Sequence, residues 1–407
     1  MDDVALGVGE DKSVKYAVEQ VKADIILNSN ENNYPMPEEV REKIQKTISG
    51  FPFHLYPPVK AEFLVQNISD ELNISCDNIK IGNGAGELLQ RICCAFGGSG
   101  KIIAYPFPSI VFYKSFIEAS GSTAVSYSLE PDGYLKAENV IAFCREKKPD
   151  LLIICNPNNP TGNYNSLKTV EKILANVSCP VVVDETYIEF AEGNEIDALD
   201  LRPLNKIWLV AGSVLTLQGR YSNLICVRSF SKAYGLAGVR CGYAVGSSLI
   251  MQHLDSYMLP YNVSSLSLII AKIVYEHKNL YKSIIKEIIA ERKKLSSFLQ
   301  TTGFEIWPSG GNFVLIRPAE KLVSVLAESY NEVYGPCDKS ALSRSGCFVY
   351  RYLLQQGILV ADFSDYPGLE GCLRITVGTP EENAQVCKKL EILYRDAVLI
   401  NDSQILK

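Results

Sequence analysis

Only three histidines occur in 407 residues, and no two of the twelve cysteines form a C-x-x-C pair. That scarcity leaves no zinc or dithiol redox motif, so no metal is expected. The cysteines are spread along the chain, and Cys93, Cys94, Cys155, Cys179, Cys226 and Cys241 sit in apolar runs. They read as buried reduced thiols of a cytoplasmic protein rather than as a disulfide framework. Excess positive charge is also missing. Lys and Arg number 40 against 46 Asp and Glu, for a formal net charge of −6. The basic residues are scattered, which argues against the basic stripe of a nucleic-acid binder. No apolar run reaches the roughly 18 residues of a membrane span, and the opening Met1-Asp2-Asp3 is too acidic for a signal peptide. No internal repeat or low-complexity segment stands out.

What is present is a globular composition, 47% hydrophobic and 21% charged, in a chain long enough for two domains or one large one. From about residue 78, short β-branched runs alternate with amphipathic stretches. "KIIAY" (101–105), "LLIIC" (151–155), "PVVVD" (180–184) and "NLICV" (223–227) are too short for helices, while 86–96, 108–120, 138–147 and 166–176 have helical period. This alternation predicts a mostly parallel α/β sheet covered on both faces, with ligand sites at the carboxyl ends of its strands. Residues 264–302 read as one long helix. Beyond it, "NFVLIR" (312–317), "FVYRYLLQQ" (348–356), "GILVA" (357–361), "CLRITV" (372–377) and a closing helix near 380–396 predict a smaller α+β domain. Residues 331–346 read as a surface insertion.

Five features fall after strands. "GNGAGE" (82–87) leads small residues into a helix start, where backbone N–H groups and the helix dipole favour an anion. "NPNNPTG" (156–162) makes a sharp loop that projects amide side chains. In "VVVDETYIEF" (181–190), Asp184 is either a helix cap or a buried carboxylate with a cationic partner, and Tyr187 lies three residues on. In "SFSKAYGLAGVRCGY" (229–243), the hydroxyls of Ser229 and Ser231 and the guanidinium of Arg240 make a phosphate cradle around Lys232. A lysine beside a phosphate and facing Asp184 has the amine, ring-nitrogen partner and phosphate anchor that pyridoxal phosphate requires. Arg374 in "CLRITVGT" is the fifth, able to reach back to a substrate carboxylate.

These residues resemble those of the fold-type I, aspartate-aminotransferase-like superfamily, and most of all its histidinol-phosphate aminotransferase branch. "LNSNEN" (27–32), "NPNNPTG", "DETYIEF", "SFSKAYGLAGVRCG" and "GCLRITVGT" stand in that branch's order and approximate spacing, from about residue 26 to 396. The resemblance implies a fold-type I architecture: a large domain (55–285) around a seven-stranded, mostly parallel sheet, and a small α+β domain from both chain ends (1–54 and 286–407). It implies pyridoxal 5′-phosphate held through Lys232, which also shuttles the reaction's proton. Asp184 would pair with the pyridine nitrogen, and Tyr187 and Asn159 with the ring's 3-oxygen. Ser229, Ser231, Arg240 and the backbone of Ala85 and Gly86 would hold the phosphate. Tyr56 would reach that phosphate in a neighbouring subunit, implying a homodimer. Arg374 would take the substrate carboxylate or phosphate, and Tyr34 would stand near the substrate's far end.

The chain departs from the branch in three ways. Where an aromatic residue usually stacks on the cofactor ring, "PSIVFY" (108–113) has Ile110, which covers a ring face by dispersion alone. Where the branch has a phosphate-binding arginine, "GILVAD" has Ala361, a loss on the scale of about 1.5–3 kcal/mol, with Arg351 ten residues earlier a candidate to compensate. The branch's proline-rich lead is missing, and 195–221 and 331–346 look extended. The expected activity is transfer of an amino group between an amino acid, or histidinol phosphate, and a 2-oxo acid. The alternatives are a decarboxylase similar to threonine-phosphate decarboxylase and a cofactor-binding regulatory module, for which about 26 residues ahead of the first motif leave no room for a DNA-binding domain.

Overall fold

The computed structural model describes residues 21–191 and 212–405, so most of the 195–221 stretch lies outside the described residues. Among the described residues, twelve strands form two sheets: β1 (Ile25–Leu27), β2 (Ile79–Gly82), β3 (Ile102–Phe107), β4 (Thr123–Ser128), β5 (Leu151–Cys155), β6 (Val181–Asp184), β7 (Leu224–Ser229), β8 (Gly242–Gly246), β9 (Phe304–Ile306), β10 (Phe313–Pro318), β11 (Ile358–Phe363) and β12 (Cys372–Thr376). Seven make the larger sheet, in the order β2-β8-β7-β6-β5-β3-β4. Only β8 runs antiparallel to its neighbours there. The four apolar runs of the sequence are its central strands β3, β5, β6 and β7, and every residue of the last three is buried. Side chains alternate between two cores, one on each face, as expected of a sheet covered by helices on both sides.

The smaller sheet runs β1-β11-β12-β10-β9. Its first strand comes from the start of the chain and pairs in parallel with β11, while the others are antiparallel. It carries a core of its own, built around Val314, Ile316, Leu373 and Ile375. All twelve cysteines are free, and eight are buried. Among the described residues no helix is long and apolar enough to cross a membrane.

Two readings of the sequence are corrected. The helix expected over 264–302 is broken into Ser265–Glu276, a single tight turn at Lys278–Tyr281, and Lys282–Thr301. No glycine or proline marks the break. His277 leaves helical geometry, and Tyr281 turns inward, 2% exposed, with its ring edge on Tyr234. Burial of that aromatic outweighs unbroken helical hydrogen bonding. Residues 331–346 are a surface segment only as far as Leu342. They span the end of one helix (Glu320–Tyr334) and the start of another (Ala341–Gln355), with Ser343, Ser345 and Gly346 buried. A Cβ at Gly346 would lie 2.5 Å from the Gly371 carbonyl, so this small-residue run lets two backbones touch. The run 348–356 is likewise wholly helical through Gln355.

Candidate active site

The strand ends of the larger sheet lie level with one another. Cys155 pairs with Asp184, Asp184 with Val227, Ser229 with Gly242 and Gly242 with Gly82. A cleft of about 810 Å³ opens between this carboxyl edge and the β11–β12 face of the smaller sheet. It is lined by Ala85, Gly86, Ile110, Asn159, Asp184, Tyr187, Ser229, Ser231, Lys232, Arg240 and Arg374, residues that sequence reasoning had singled out across 290 positions of chain. Parallel topology is what gathers them, because each strand delivers its following loop to the same edge.

Asp184 is 2% exposed. Burial raises its proton affinity, and three donors oppose that: the Tyr113 hydroxyl at 2.8 Å on Oδ2, and the Thr186 backbone N–H and hydroxyl at 3.1 and 2.6 Å on Oδ1. It is therefore a buried, hydrogen-bonded carboxylate rather than a plain helix cap. Tyr187 accepts from the side-chain amides of Asn159 at 3.1 Å and Asn30 at 3.0 Å. Burial pushes its hydroxyl up to about 12. Arg374 donates to Asn159 Oδ1 at 2.6 Å and to the Asn28 carbonyl, and its guanidinium lies near the rings of Phe313 and Phe363.

Lys232 is half-buried, and its Nζ donates to the Ser29 carbonyl at 2.7 Å. Its amine is lowered to about 8, chiefly by desolvation and then by Arg374, with Glu31 opposing. Such an amine is neutral in a useful fraction near neutral pH, as a nucleophile needs to be. Beside it, the helix Ala85–Phe96 starts after Gly84, which takes φ +82°. A Cβ at Gly84 would meet Arg240 Nη2 at 2.7 Å, so the guanidinium lies flat against the glycine at the helix start. Ser231 N–H donates to Ser229 Oγ at 3.1 Å. A cation, two hydroxyls and free N–H groups at a helix start form an anion cradle, the donor set that fits a phosphomonoester.

Two further residues of the resemblance lie outside this cleft. Tyr56, expected at a neighbouring subunit's site, is 81% exposed and stacks on Tyr261 at 4.8 Å. Tyr34, expected near the substrate's far end, packs against the core of the larger sheet with its hydroxyl buried. Arg351, the candidate to compensate for Ala361, faces away and lies over the rings of Tyr330 and Tyr334. Sequence reasoning missed three residues. Tyr113 closes the "PSIVFY" stretch from which only Ile110 was taken. Gly84 lies inside a loop whose anion-binding role was assigned to its neighbours. Asn30, at φ +53°, ties Tyr187 to Thr376 and Asn312, and its signal was the polar run "LNSNEN".

Residues 22–390 match the family described as aminotransferase class I and II. The chain belongs to that family. As a class I and II aminotransferase it is a pyridoxal-phosphate-dependent transaminase. It is 32% identical to the histidinol-phosphate aminotransferase of Thermoanaerobacter sp. (strain X514) over 379 residues, 93% of this chain and 95% of that protein. It is 34% identical to histidinol-phosphate aminotransferase 1 of Carboxydothermus hydrogenoformans, with the same coverage. Its fold resembles the Sinorhizobium meliloti histidinol-phosphate aminotransferase solved with pyridoxal-5′-phosphate (TM-score 0.76, 20% identity, 92% of this chain and 91% of that one). It also resembles a decarboxylase from Sulfurospirillum multivorans (TM-score 0.73, 24% identity, 92% and 96%), a likeness of fold alone.

Proposed function

We propose that this aminotransferase works in the cleft at the carboxyl edge of the larger sheet, on an amino donor and a 2-oxo acceptor that each place an anionic group on Arg374. The observation that carries this is Lys232, an amine of lowered proton affinity that shares one cleft with Asp184, Arg240 and Arg374. Pyridoxal 5′-phosphate, when bound, supplies an electron-withdrawing ring that stabilises negative charge at the substrate carbon. Asp184 would hold the ring nitrogen, and Tyr187 and Asn159 the ring oxygen. Arg240, Ser229, Ser231 and the N–H groups of Ala85 and Gly86 would hold the phosphate, and Ile110 would cover a ring face. Lys232 would hold the cofactor through Nζ, and with substrate bound its free amine would take the proton from the substrate carbon and return it on the other side of the amino nitrogen. Arg374, already held by Asn159 and the Asn28 carbonyl, orients the substrate by its carboxylate or phosphate.

The names of the relatives make L-histidinol phosphate the first donor to test. We place the larger domain at 55–285 and the smaller at 1–54 with 286–407. We also propose a homodimer, in which exposed Tyr56, stacked on Tyr261, meets the phosphate of the neighbouring site. Eight buried free thiols support a cytoplasmic setting. A single-turnover measurement tests the reading: the holoenzyme is mixed with L-histidinol phosphate, glutamate or an aromatic amino acid. Conversion of the bound cofactor to pyridoxamine phosphate is expected with at least one of these. Release of carbon dioxide with the cofactor left as the aldehyde would refute transamination and favour a decarboxylase.

A further inference from the structure

We propose that Tyr113 is a positioning residue for the reaction: it orients the one carboxylate oxygen of Asp184 that is left to face the cofactor's ring nitrogen. An ionised carboxylate offers about four in-plane acceptor sites, two on each oxygen. On Asp184, Oδ1 uses both of its sites, for the Thr186 N–H at 3.1 Å and the Thr186 hydroxyl at 2.6 Å. Oδ2 uses one, for the Tyr113 hydroxyl at 2.8 Å. The remaining site lies on Oδ2, so the oxygen that meets the ring is the one that Tyr113 grips.

Tyr113 is built for a fixed position. It is wholly buried, lines the cleft, and stands in the first turn of the helix Phe112–Ala119. Its backbone N–H donates to the Ile110 carbonyl at 3.1 Å. One turn of chain thus carries both the side chain that covers the ring face and the hydroxyl that sets the ring's anionic partner. The titratable groups that feel the Asp184 charge are Tyr113, Cys155 on β5, Tyr187 and Cys226 on β7, and burial pushes all of them upward, leaving them neutral. The cations Lys232, Arg240 and Arg374 line the same cleft, so Asp184 is the one anion in this group, and the Tyr113 hydroxyl favours its charge against desolvation. A carboxylate of lower proton affinity leaves the proton on the ring nitrogen, where it is needed to draw charge from the substrate carbon.

The inference rests on Asp184 meeting the ring nitrogen, and Asp184→Ala tests that part separately. The central experiment titrates pyridoxal phosphate into the apo forms of wild type, Tyr113→Phe and Asp184→Ala across pH, alongside melting temperature and kinetics. For Tyr113→Phe, removal of one charge-assisted hydrogen bond is expected to weaken cofactor affinity about tenfold and lower kcat about tenfold at unchanged donor KM. The acid limb of cofactor binding should move up by about one pH unit. A lowered melting temperature with wild-type cofactor affinity, kcat and acid limb would mean that Tyr113 only packs, and would overturn the proposal. Unchanged cofactor affinity in Asp184→Ala would instead overturn the placement of Asp184. If Tyr113→Phe does not fold, 3-fluorotyrosine at position 113 keeps the packing and donates more strongly. The acid limb should then move down, and no movement or an upward one would refute the idea.

Discussion

Replacing Gly84 by alanine tests the anion cradle, because the structure separates its two effects. The residue takes φ +82° and ψ 167°, a region almost reserved for glycine, so a Cβ brings strain of about 1–3 kcal/mol to the fold. The same Cβ would stand 2.7 Å from Arg240 Nη2 and 3.1 Å from Cζ. Arg240 is exposed, so its guanidinium swings aside at little further cost to the fold. It thereby leaves the phosphate, and a charge-assisted bond of about 1.5–3 kcal/mol is lost, a ten- to hundredfold weaker cofactor affinity. The assay is titration of pyridoxal phosphate into the apo-enzyme, with chemical denaturation to measure stability separately. Gly86→Ala is the control: its Cβ meets only Phe116 at 3.8 Å, and its N–H is kept, so affinity should not change. If Gly84→Ala lost stability and kept wild-type affinity, the placement of Arg240 in the cradle would be refuted.

Three further outcomes follow from the same geometry. The rate at which apo-enzyme takes up cofactor should rise with pH and level off above about 8, where Lys232 has lost its proton; stopped-flow absorbance would show a rate still climbing past pH 9 if the amine kept its ordinary value of 10.5. Ala361 stands across from Arg374 on β12. Ala361→Arg should therefore lower the KM of phosphorylated donors about tenfold, and an unchanged KM would show that this wall does not meet the phosphate. Arg228 bridges Glu185 at 3.2 Å and Glu189 at 2.7 Å in the interior. Arg228→Met leaves two buried carboxylates unpaired and should cost about 3–5 kcal/mol in urea unfolding.

The larger sheet was legible because its central strands are unbroken β-branched runs, and their loops carry unusual residues. "LLIIC" and "VVVD" needed no tertiary information to be placed. Asp184 was legible for a related reason, because a polar residue that ends an apolar run has to face something, whereas Lys232 and Arg374 were legible from the motifs around them, "SFSKAYGLAGVRCGY" and "CLRITVGT". The misses share a different cause. Tyr281 breaks a helix of unbroken periodicity by turning inward, and Gly346 is buried against the backbone of Gly371 farther along the chain. Tyr34, placed near the substrate's far end by the resemblance, packs against the core of the larger sheet. Tyr113 was passed over within the helical-period stretch 108–120, and its hydrogen bond goes to Asp184, 71 positions away. These depend on which surfaces meet, and local sequence carries little of that.

The most direct test of the account is where the cofactor attaches. Holoenzyme treated with borohydride fixes the cofactor to whichever amine holds it, and peptide mass spectrometry then locates the label. The account predicts all of the label on the peptide containing Lys232 and none with Lys232→Ala. Label on another lysine, or wild-type labelling without Lys232, would contradict it.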